Sequence, residues 1–158
     1  MAGLCISDPV IRRAGLADRH CLAAMMAGSN GYVVPAARSM IQRFSWSWTY
    51  GPEDEVWVLE TAAQTLGFFQ LVPLAPPDWE LDLFFTANDA QGRGLGARLF
   101  EQVRARAQAL GAVRILISSN PGAAGFYRRQ GARDVGQSPP VGDITWPRPR
   151  LALDIPEG

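Results

Sequence analysis

The chain has 158 residues, 47% of them hydrophobic, which is enough apolar material for one domain with a single core. The 15 basic residues balance the 15 acidic ones and form no run, so the charge does not indicate binding of nucleic acid or of an anionic membrane. No apolar stretch reaches membrane-spanning length, and the N-terminal segment has no basic part followed by a long apolar one. We therefore expect one cytoplasmic domain over residues 1–158.

Two helices are predicted early in the chain. Asp18 is a typical helix start, and the segment 28–31 (GSNG) ends that helix. Pro35 favours the start of a second helix, because proline fits the first helical position. The inward-facing residues of this helix should be Met40, Ile41 and Phe44.

Three strands are predicted in the same half of the chain. A β-branched pair within residues 10–13 indicates a short first strand. Residues 56–60 and 66–72, joined by a turn at 61–64, are typical of a β-hairpin. The first half of the chain therefore mixes helices with strands.

Aromatic residues are concentrated at 45–50, which read SWSWTY. These rings either line a ligand cleft, where they would stack on a flat ring or cage a cation, or cover the core beneath a long connection. The general burial of such rings favours the second interpretation. The same two interpretations apply to Tyr32, Trp79 and Trp146.

Residue types that bind metals or form disulfides are scarce. His20 is the only histidine, and it lies in no cluster of Cys, Asp or Glu at ligand spacing. Cys5 and Cys21 are too few and too isolated for a disulfide framework or a Cys-rich metal site. We expect neither a metal ion nor a catalytic role for His20.

The stretch 79–86 predicts a central strand that carries two acids. Alternation places Glu80, Asp82 and Phe84 on one face and Leu81, Leu83 and Phe85 on the other, unless a bulge changes the count. Two carboxylates on one face favour acid–base chemistry. The alternative is that they only pair with arginines on the sheet face.

A glycine turn follows this strand at 91–96, which read QGRGLG. Glycines let the backbone turn sharply and leave N–H groups uncovered at the positive end of a helix dipole, an arrangement that binds phosphate. A dinucleotide-binding oxidoreductase is a remote alternative, since the acid it needs after the strand at 113–117 is replaced by Ser118-Ser119-Asn120. A Walker-type loop would need a lysine, and every basic side chain of this chain is an arginine.

A long helix and a short helix flank the strand at 113–117. Residues 95–110 carry an apolar stripe with helical spacing, and Gly111 ends that helix. Residues 120–131 read as a short helix with Asn120 as N-cap, Pro121 in the first turn and Gly131 beyond the end.

Two motifs in this region resemble those of the GNAT superfamily of acetyl-CoA-dependent N-acetyltransferases. The first is Gln-x-x-Gly-x-Gly at 91–96, and the second is Asn-x-x-Ala-x-x-Phe-Tyr-x-x-x-Gly at 120–131. The order of the predicted elements resembles that of the family over most of the chain, but the sequence motifs lie only within residues 80–132. It implies an α/β fold in which a mixed, mostly antiparallel sheet is flanked by helices and parted at a bulged central strand. The segment 86–88 (TAN) departs from the Val-x-Pro that the family usually has there.

The resemblance also implies a set of site residues. Acetyl-CoA would be held by Phe84, Phe85, Gln91, Gly92, Arg93, Gly94, Leu95, Gly96, Ala97, Asn120, Phe126 and Tyr127. A backbone N–H near Phe84 or Phe85 would stabilise the oxyanion. Glu80 would be the general base, with Asp82 as the alternative, and Tyr127 would give a proton to the departing thiolate.

The implied reaction is direct transfer of an acetyl group from acetyl-CoA to a primary amine, without a metal or a covalent enzyme intermediate. The acceptor is expected to be a small amine or an amino-acid-like molecule, and the sequence is compatible with a homodimer.

A strand is predicted near 133–135 and another at 151–155. The loop 137–150 would cover the acceptor site, where Asp143 and Trp146 either read the acceptor or belong to a stiff surface loop. The alternative function is a non-catalytic acyl-CoA sensor or assembly module.

Overall fold

The computed structural model describes residues 8–142 and 144–158, so Cys5 and Asp143 lie outside the described residues. The described residues form four α-helices: α1 (Arg19–Ala27), α2 (Pro35–Ser47), α3 (Leu95–Ala109) and α4 (Ala124–Arg129). They also form seven strands: β1 (Val10–Arg13), β2 (Glu55–Glu60), β3 (Thr65–Pro73), β4 (Asp78–Thr86), β5 (Arg114–Ser118), β6 (Arg133–Ser138) and β7 (Arg148–Asp154). Within this part of the chain no helix is long and apolar enough to cross a membrane.

All seven strands belong to one sheet, in the order β1-β2-β3-β4-β5-β7-β6. Each neighbouring pair is antiparallel except β4 and β5, which run parallel. Helix α3 connects these two strands, as a parallel pair requires a crossover. The prediction of a mixed, mostly antiparallel sheet flanked by helices is therefore confirmed.

Each face of the sheet carries its own apolar core. On one face α3 contributes Leu99, Val103 and Ala107, spaced four residues apart and fully buried. On the other face α1 and α2 cover the sheet around Phe68, while its neighbour Phe69 belongs to the α3 side. The predicted helix starts at Asp18 and Pro35 and the hairpin of β2 and β3 are confirmed to within one or two residues.

The prediction that Phe44 faces inward is wrong, since its side chain is 39% exposed. The buried stripe of α2 consists of Ala37, Ile41 and Ser45. Ser45 tolerates full burial because its hydroxyl donates to the carbonyl of Ile41 at 2.5 Å. Ser45 thus occupies the buried position that the apolar pattern of the sequence predicts for the adjacent residue, Phe44.

The loop near the C-terminal end is shorter than the predicted 137–150. Strand β6 extends to Ser138 and β7 begins at Arg148, so only 139–147 separate them. Prolines suggested a loop here, yet the carbonyl of Pro149 accepts a hydrogen bond from the N–H of Ser119 at 2.9 Å. Arg150 consequently lies in β7, beside Ser118 of β5.

Candidate active site

The sheet is parted between β4 and β5. The two strands pair only at Asp78–Arg114, Trp79–Ile115 and Glu80–Leu116, and beyond this point they separate. The gap is a cleft of about 200 Å³, lined by residues 81–86 together with Ser29, Gly31, Tyr32, Gln91, Asn120, Ala123 and Tyr127. The parting that the resemblance implied is therefore present.

A bulge in β4 decides which side chains face this cleft. Leu71 of β3 pairs with Leu81 and Gln70 pairs with Leu83, so Asp82 has no partner in β3. The expected bulge is present and changes the alternation: Leu81 packs in the α3 core, whereas Leu83 and Phe85 pack in the α1–α2 core. The bulge brings Asp82 into the lining of the cleft.

The free edge of β4 offers main-chain hydrogen-bond donors to the cleft. Successive N–H groups of a strand point to opposite edges, so one of Phe84 and Phe85 directs its N–H toward β3 and the other toward the gap. The Phe84 ring packs against Phe126 and Tyr127, with centroids 5.6 and 6.0 Å apart. The side chains of Phe84 and Tyr127 thus form one wall of the cleft, next to the free edge of β4.

The glycine turn leaves uncapped N–H groups at the start of α3. Gly92 and Gly94 have φ of 81° and 73°, values that favour glycine. Gly94 is the N-cap and no side chain caps the helix, so the N–H groups of Leu95, Gly96 and Ala97 lack intrahelical acceptors. With the dipole of a 15-residue helix behind them, these donors can bind an anion, which is the use that the sequence predicts for them.

Other residues around the turn agree with that use. Gln91 lines the cleft, which connects the turn to the gap between the strands. A Cβ at Gly96 would lie 3.4 Å from the Phe126 ring, so the small residue lets α4 approach the turn. The guanidinium groups of Arg93 and Arg98 donate to the main-chain carbonyls of Asp89 and Pro9, contacts that leave both positive charges available to a phosphate.

Glu80 does not line the cleft and is held in an ion pair. Nη1 of Arg150 donates to its Oε1 at 3.2 Å and to Oγ of Ser118 at 2.7 Å. Oγ of Ser118 in turn lies 2.6 Å from Oγ of Ser138. The expectation that Glu80 is the base stays a prediction, but this environment is that of a positioned carboxylate on the sheet face.

Asp82 lies in a different environment. Its side chain remains exposed to solvent at the cleft, yet it is partly surrounded by protein atoms, and this desolvation is the main reason that its pKa rises above the usual value. The negative charge of Glu80 raises the pKa further. Asp82 is thus a carboxylate with an increased proton affinity inside the cleft.

Tyr127 is the most buried titratable group of the cleft. Its side chain is 8% exposed, and burial, followed by the nearby Tyr32, raises the pKa of its phenol. Burial also raises the pKa of Tyr32, while the side chain of Asn120 acts in the opposite direction. Tyr32, Asn120 and Tyr127 therefore form a small polar group where α1–α2, β5 and α4 meet.

The prediction that the Asn120 side chain caps the short helix is wrong. Asn120 occupies the N-cap position, but its side chain makes no capping hydrogen bond, and its carbonyl accepts from the N–H of Ala123 instead. The helix begins with a 3₁₀ turn, Pro121–Ala123, before α4. Because the carbonyl serves that turn, the side chain is left to interact with Tyr32 in the cleft.

A second cavity adjoins the cleft, and we call it the apolar cavity. It has a volume of about 330 Å³ and is lined by residues 31–34 and 120–122 together with Ala37 and Trp146. Gly31, Tyr32 and Asn120 line both spaces. Tyr32 and Trp146, two of the aromatic residues whose role the sequence left open, therefore line cavities, whereas Trp79 packs against the α3 core.

Residues 45–50 mainly cover the core, as favoured from the sequence. Trp48 and Tyr50 are buried and packed together, with ring centroids 4.8 Å apart. Nε1 of Trp48 donates to the Gln70 side chain at 3.0 Å. Trp46 is 51% exposed and contacts the ring of His20, far along α2 from the apolar cavity.

The identity of the arginine that pairs with Glu80 and the contact made by Asn88 were not predicted from the sequence. The sequence predicts a loop at Arg150, whereas its pairing with Glu80 depends on β7 lying beside β5. Asn88 ties the end of β4 to the loop after α1: its Nδ2 donates to the carbonyl of Gly28 at 2.7 Å and its Oδ1 accepts from the N–H of Asn30 at 3.0 Å. The departure from Val-x-Pro at 86–88 was the available signal for this contact.

Comparisons with known proteins identify a family and similar folds. Residues 52–131 match the family model described as an acetyltransferase (GNAT) domain. The fold is similar to Ard1 from Thermoplasma volcanium, with a TM-score of 0.75 and 16% identity over 96% of this chain and 100% of that chain. It is also similar to the ribosomal-protein-S18-alanine N-acetyltransferase from Escherichia coli, with a TM-score of 0.72 and 16% identity over 95% and 96% of the two chains.

A third similar structure was solved with the expected ligand. It is an aminoglycoside 6'-N-acetyltransferase complexed with coenzyme A, with a TM-score of 0.71 and 14% identity over 94% of this chain and 99% of that chain. A comparison with curated protein sequences finds no match. Because the family model spans just over half of the chain and the fold agrees with it, the chain belongs to the GNAT acetyltransferase family and is an acetyl-CoA-dependent N-acetyltransferase, with acetyl-CoA as co-substrate.

Proposed function

We propose that the enzyme acetylates the primary amine of a small molecule, with Asp82 as general base and Tyr127 as hydrogen-bond donor to the departing sulfur. The observation that carries this assignment is the shared cleft: Asp82 and Tyr127 both line it, whereas Glu80 does not. The proposal therefore exchanges the roles that the sequence suggested for the two acids.

Asp82 is suited to take a proton from the amine. A primary amine is protonated at neutral pH and must lose that proton before it attacks the thioester carbon. A general base works best when its pKa lies near the working pH, and the pKa of Asp82 is raised toward that range. Its exposure to solvent allows the transfer to pass through a water molecule.

Glu80 supports this base as a positioning residue. Its pair with Arg150 holds its charge on the sheet face, one pleat from the bulge. From there its negative charge raises the pKa of Asp82. Glu80 thus acts on the reaction through Asp82.

Tyr127 is suited to donate a hydrogen bond. Burial keeps its phenol protonated at neutral pH, since the pKa lies above the usual value. A neutral phenol can stabilise the negative charge that grows on sulfur as the thioester breaks, although complete proton transfer becomes harder as the pKa of the donor rises. We therefore assign it the donor role.

The small-molecule acceptor is supported by the walls of the cleft. The loop between α1 and α2 brings Ser29, Gly31 and Tyr32 against the cleft and leaves a space of about 200 Å³. The names of the similar proteins include a ribosomal-protein alanine and an aminoglycoside, so they do not choose between acceptor classes. The homodimer and the cytoplasmic location stay predictions.

Matched substitutions test the assignment of the base. At neutral pH we expect Asp82→Asn to lower kcat by roughly 100-fold or more, and Glu80→Gln to lower it by less than about 10-fold. Release of CoA thiol measures the rate, and calorimetric titration with acetyl-CoA checks that both variants bind the co-substrate. The opposite order, with Glu80→Gln the slower enzyme, would return the base role to Glu80.

A further inference from the structure

The apolar cavity is a substrate-sized space that the proposed chemistry does not use. We infer that it receives the uncharged ring of the acceptor, so that the acceptor is an arylalkyl primary amine. This inference rests on the proposed function and specifies its acceptor class. Four observations carry it.

The first observation is continuity. Gly31, Tyr32 and Asn120 line both the cleft and the apolar cavity. A molecule that places its amine at Asp82 can therefore extend past Tyr32 into the cavity without crossing a wall of protein. An acceptor that spans both spaces has its amine and its body at opposite ends.

The second observation is the chemistry of the lining. None of the lining residues that the structure describes carries a charge. A carboxylate or a second ammonium group placed there would lose its water without gaining a partner, which is costly. Val33 and Val34 also expose 80% and 56% of their surface, and an apolar ligand would cover such surface favourably.

The third observation is size. The apolar cavity measures about 330 Å³. A cavity of roughly 150 Å³ is enough to bind benzene in a well-studied case. One ring and the start of an alkyl chain therefore fit, and the rings of Tyr32 and Trp146 offer aromatic contacts.

The fourth observation concerns the cation that an amino acid would require. A carboxylate next to the amine needs a positive partner near Asp82. Arg150, which pairs with the neighbouring Glu80, is already bound to that carboxylate and to Ser118. This engagement favours an amine without a carboxylate.

A panel of four amines tests the class. We expect kcat/KM for 2-phenylethylamine to exceed that for ethylamine by at least about 10-fold, because binding of the ring adds contacts that ethylamine lacks. Phenylalanine, which adds a carboxylate, and 1,4-diaminobutane, which replaces the ring with a charge, should both be poorer than 2-phenylethylamine. Equal or better turnover of ethylamine, phenylalanine or 1,4-diaminobutane would overturn the inference and leave the proposed function intact.

Two matched pairs of variants locate the effect. Val34→Asp should reduce the affinity for 2-phenylethylamine at least about 10-fold. Val34 is the N-cap of α2, where aspartate is favoured, so this change should not impair folding. Its control is Val113→Asp, at a residue of similar exposure (53%) that precedes β5 and lies outside both spaces. Trp146→Ala should likewise weaken binding of 2-phenylethylamine. Its control is Trp46→Ala, at an exposed tryptophan that lies outside both spaces.

Binding is read independently of turnover, by calorimetric titration of 2-phenylethylamine into the protein saturated with CoA. Weakening by Val34→Asp and Trp146→Ala, but not by their controls, would support the inference. Equal affinities in all variants would place the ring elsewhere and overturn it. If 2-phenylethylamine binds through Val34 and Trp146 but no amine of the panel is acetylated, the ring site stands and the proposed function fails, whereas absence of both binding and turnover would overturn the inference.

Discussion

Glu80 on β4 is paired with Arg150 on β7 across the intervening strand β5, with Nη1 of the arginine 3.2 Å from Oε1 of the glutamate. The pair lies beside the bulge that carries Asp82, and Glu80 contributes to the raised pKa of that residue. Glu80 and Asp82, which the alternation pattern of the sequence treats as equivalent, therefore lie in different environments.

The effect of the Glu80 charge on Asp82 predicts the pH profile of the variant Glu80→Gln. Loss of the Glu80 charge removes a repulsion and leaves Arg150 unpaired, and both changes lower the pKa of Asp82. Because a base works only when deprotonated, the acidic limb of kcat/KM should move to lower pH in this variant. Measurement of thiol release across the acidic range checks the sign. A limb that moves upward, or activity that disappears at every pH, would contradict the positioning role.

Tyr127→Phe should separate chemistry from binding. We expect kcat to fall roughly 100-fold, since one donor to the developing charge is lost. The affinity for acetyl-CoA should remain unchanged, because the ring and its contacts with Phe84 and Phe126 are retained. Tyr50→Phe is the control: it removes a hydroxyl that donates to the carbonyl of Gly15 at 2.7 Å and should cost stability alone. Weaker binding of acetyl-CoA by Tyr127→Phe would make the tyrosine a structural residue.

Two glycines that flank α3 allow a test of the proposed phosphate site. Gly94 and Gly111 stand at opposite ends of the helix, both with φ of 73° and with no atom within 4 Å of an added Cβ. Substitution of either by alanine should destabilise the fold by about 1 kcal/mol, since both backbones are left-handed. Only Gly94→Ala should weaken binding of acetyl-CoA, as measured by calorimetry. An equal loss of affinity in both variants would mean that the turn has no special role.

Glu55 should contribute to stability in a pH-dependent way. Hydrogen bonds from Arg106, then from Trp57 and Arg13, lower its pKa to about 2 against the opposing effect of burial. A lowered pKa means that the stabilisation is present above the unfolded pKa, near 4.5, and is lost as the pH falls toward 2. Glu55→Gln should therefore lower the free energy of unfolding at pH 7 by up to about 3 kcal/mol.

Urea unfolding at several pH values measures this contribution. The difference between Glu55→Gln and the parent protein should shrink as the pH is lowered from 7 to 3. Asp134→Asn, which breaks the exposed pair with Arg128, is the control and should have a much smaller effect. A difference that does not change with pH would show that Glu55 acts through packing.

The features that the sequence predicted correctly depend on local chemistry. The turn at Gly92 and Gly94 and the stripe of α3 follow from residues close together in the chain, where backbone conformation and helical period decide the outcome. The family motifs added the parted sheet. Nothing in these features requires knowledge of distant contacts.

The errors arise where distant parts of the chain meet. The position of the bulge depends on how β3 pairs with β4, so alternation alone could not place Leu81. The prolines within residues 137–150 predict a loop that includes Arg150, but the pairing of β7 with β5 and β6 places Arg150 in a strand. The sequence left the role of Tyr32 open between lining a cleft and covering the core, because its place depends on how α1, β5 and α4 come together.

The ion pair beside the cleft has one more consequence, which concerns the enzyme as a target of its own reaction. A lysine in the position of Arg150 would place a primary amine beside Glu80, on an enzyme that binds an acetyl donor. The arginine guanidinium keeps its proton at any ordinary pH and is a poor nucleophile. Since the sequence contains no lysine at all, none of its side chains offers a primary amine, and every cation that pairs with its acids is chemically inert toward the acetyl donor.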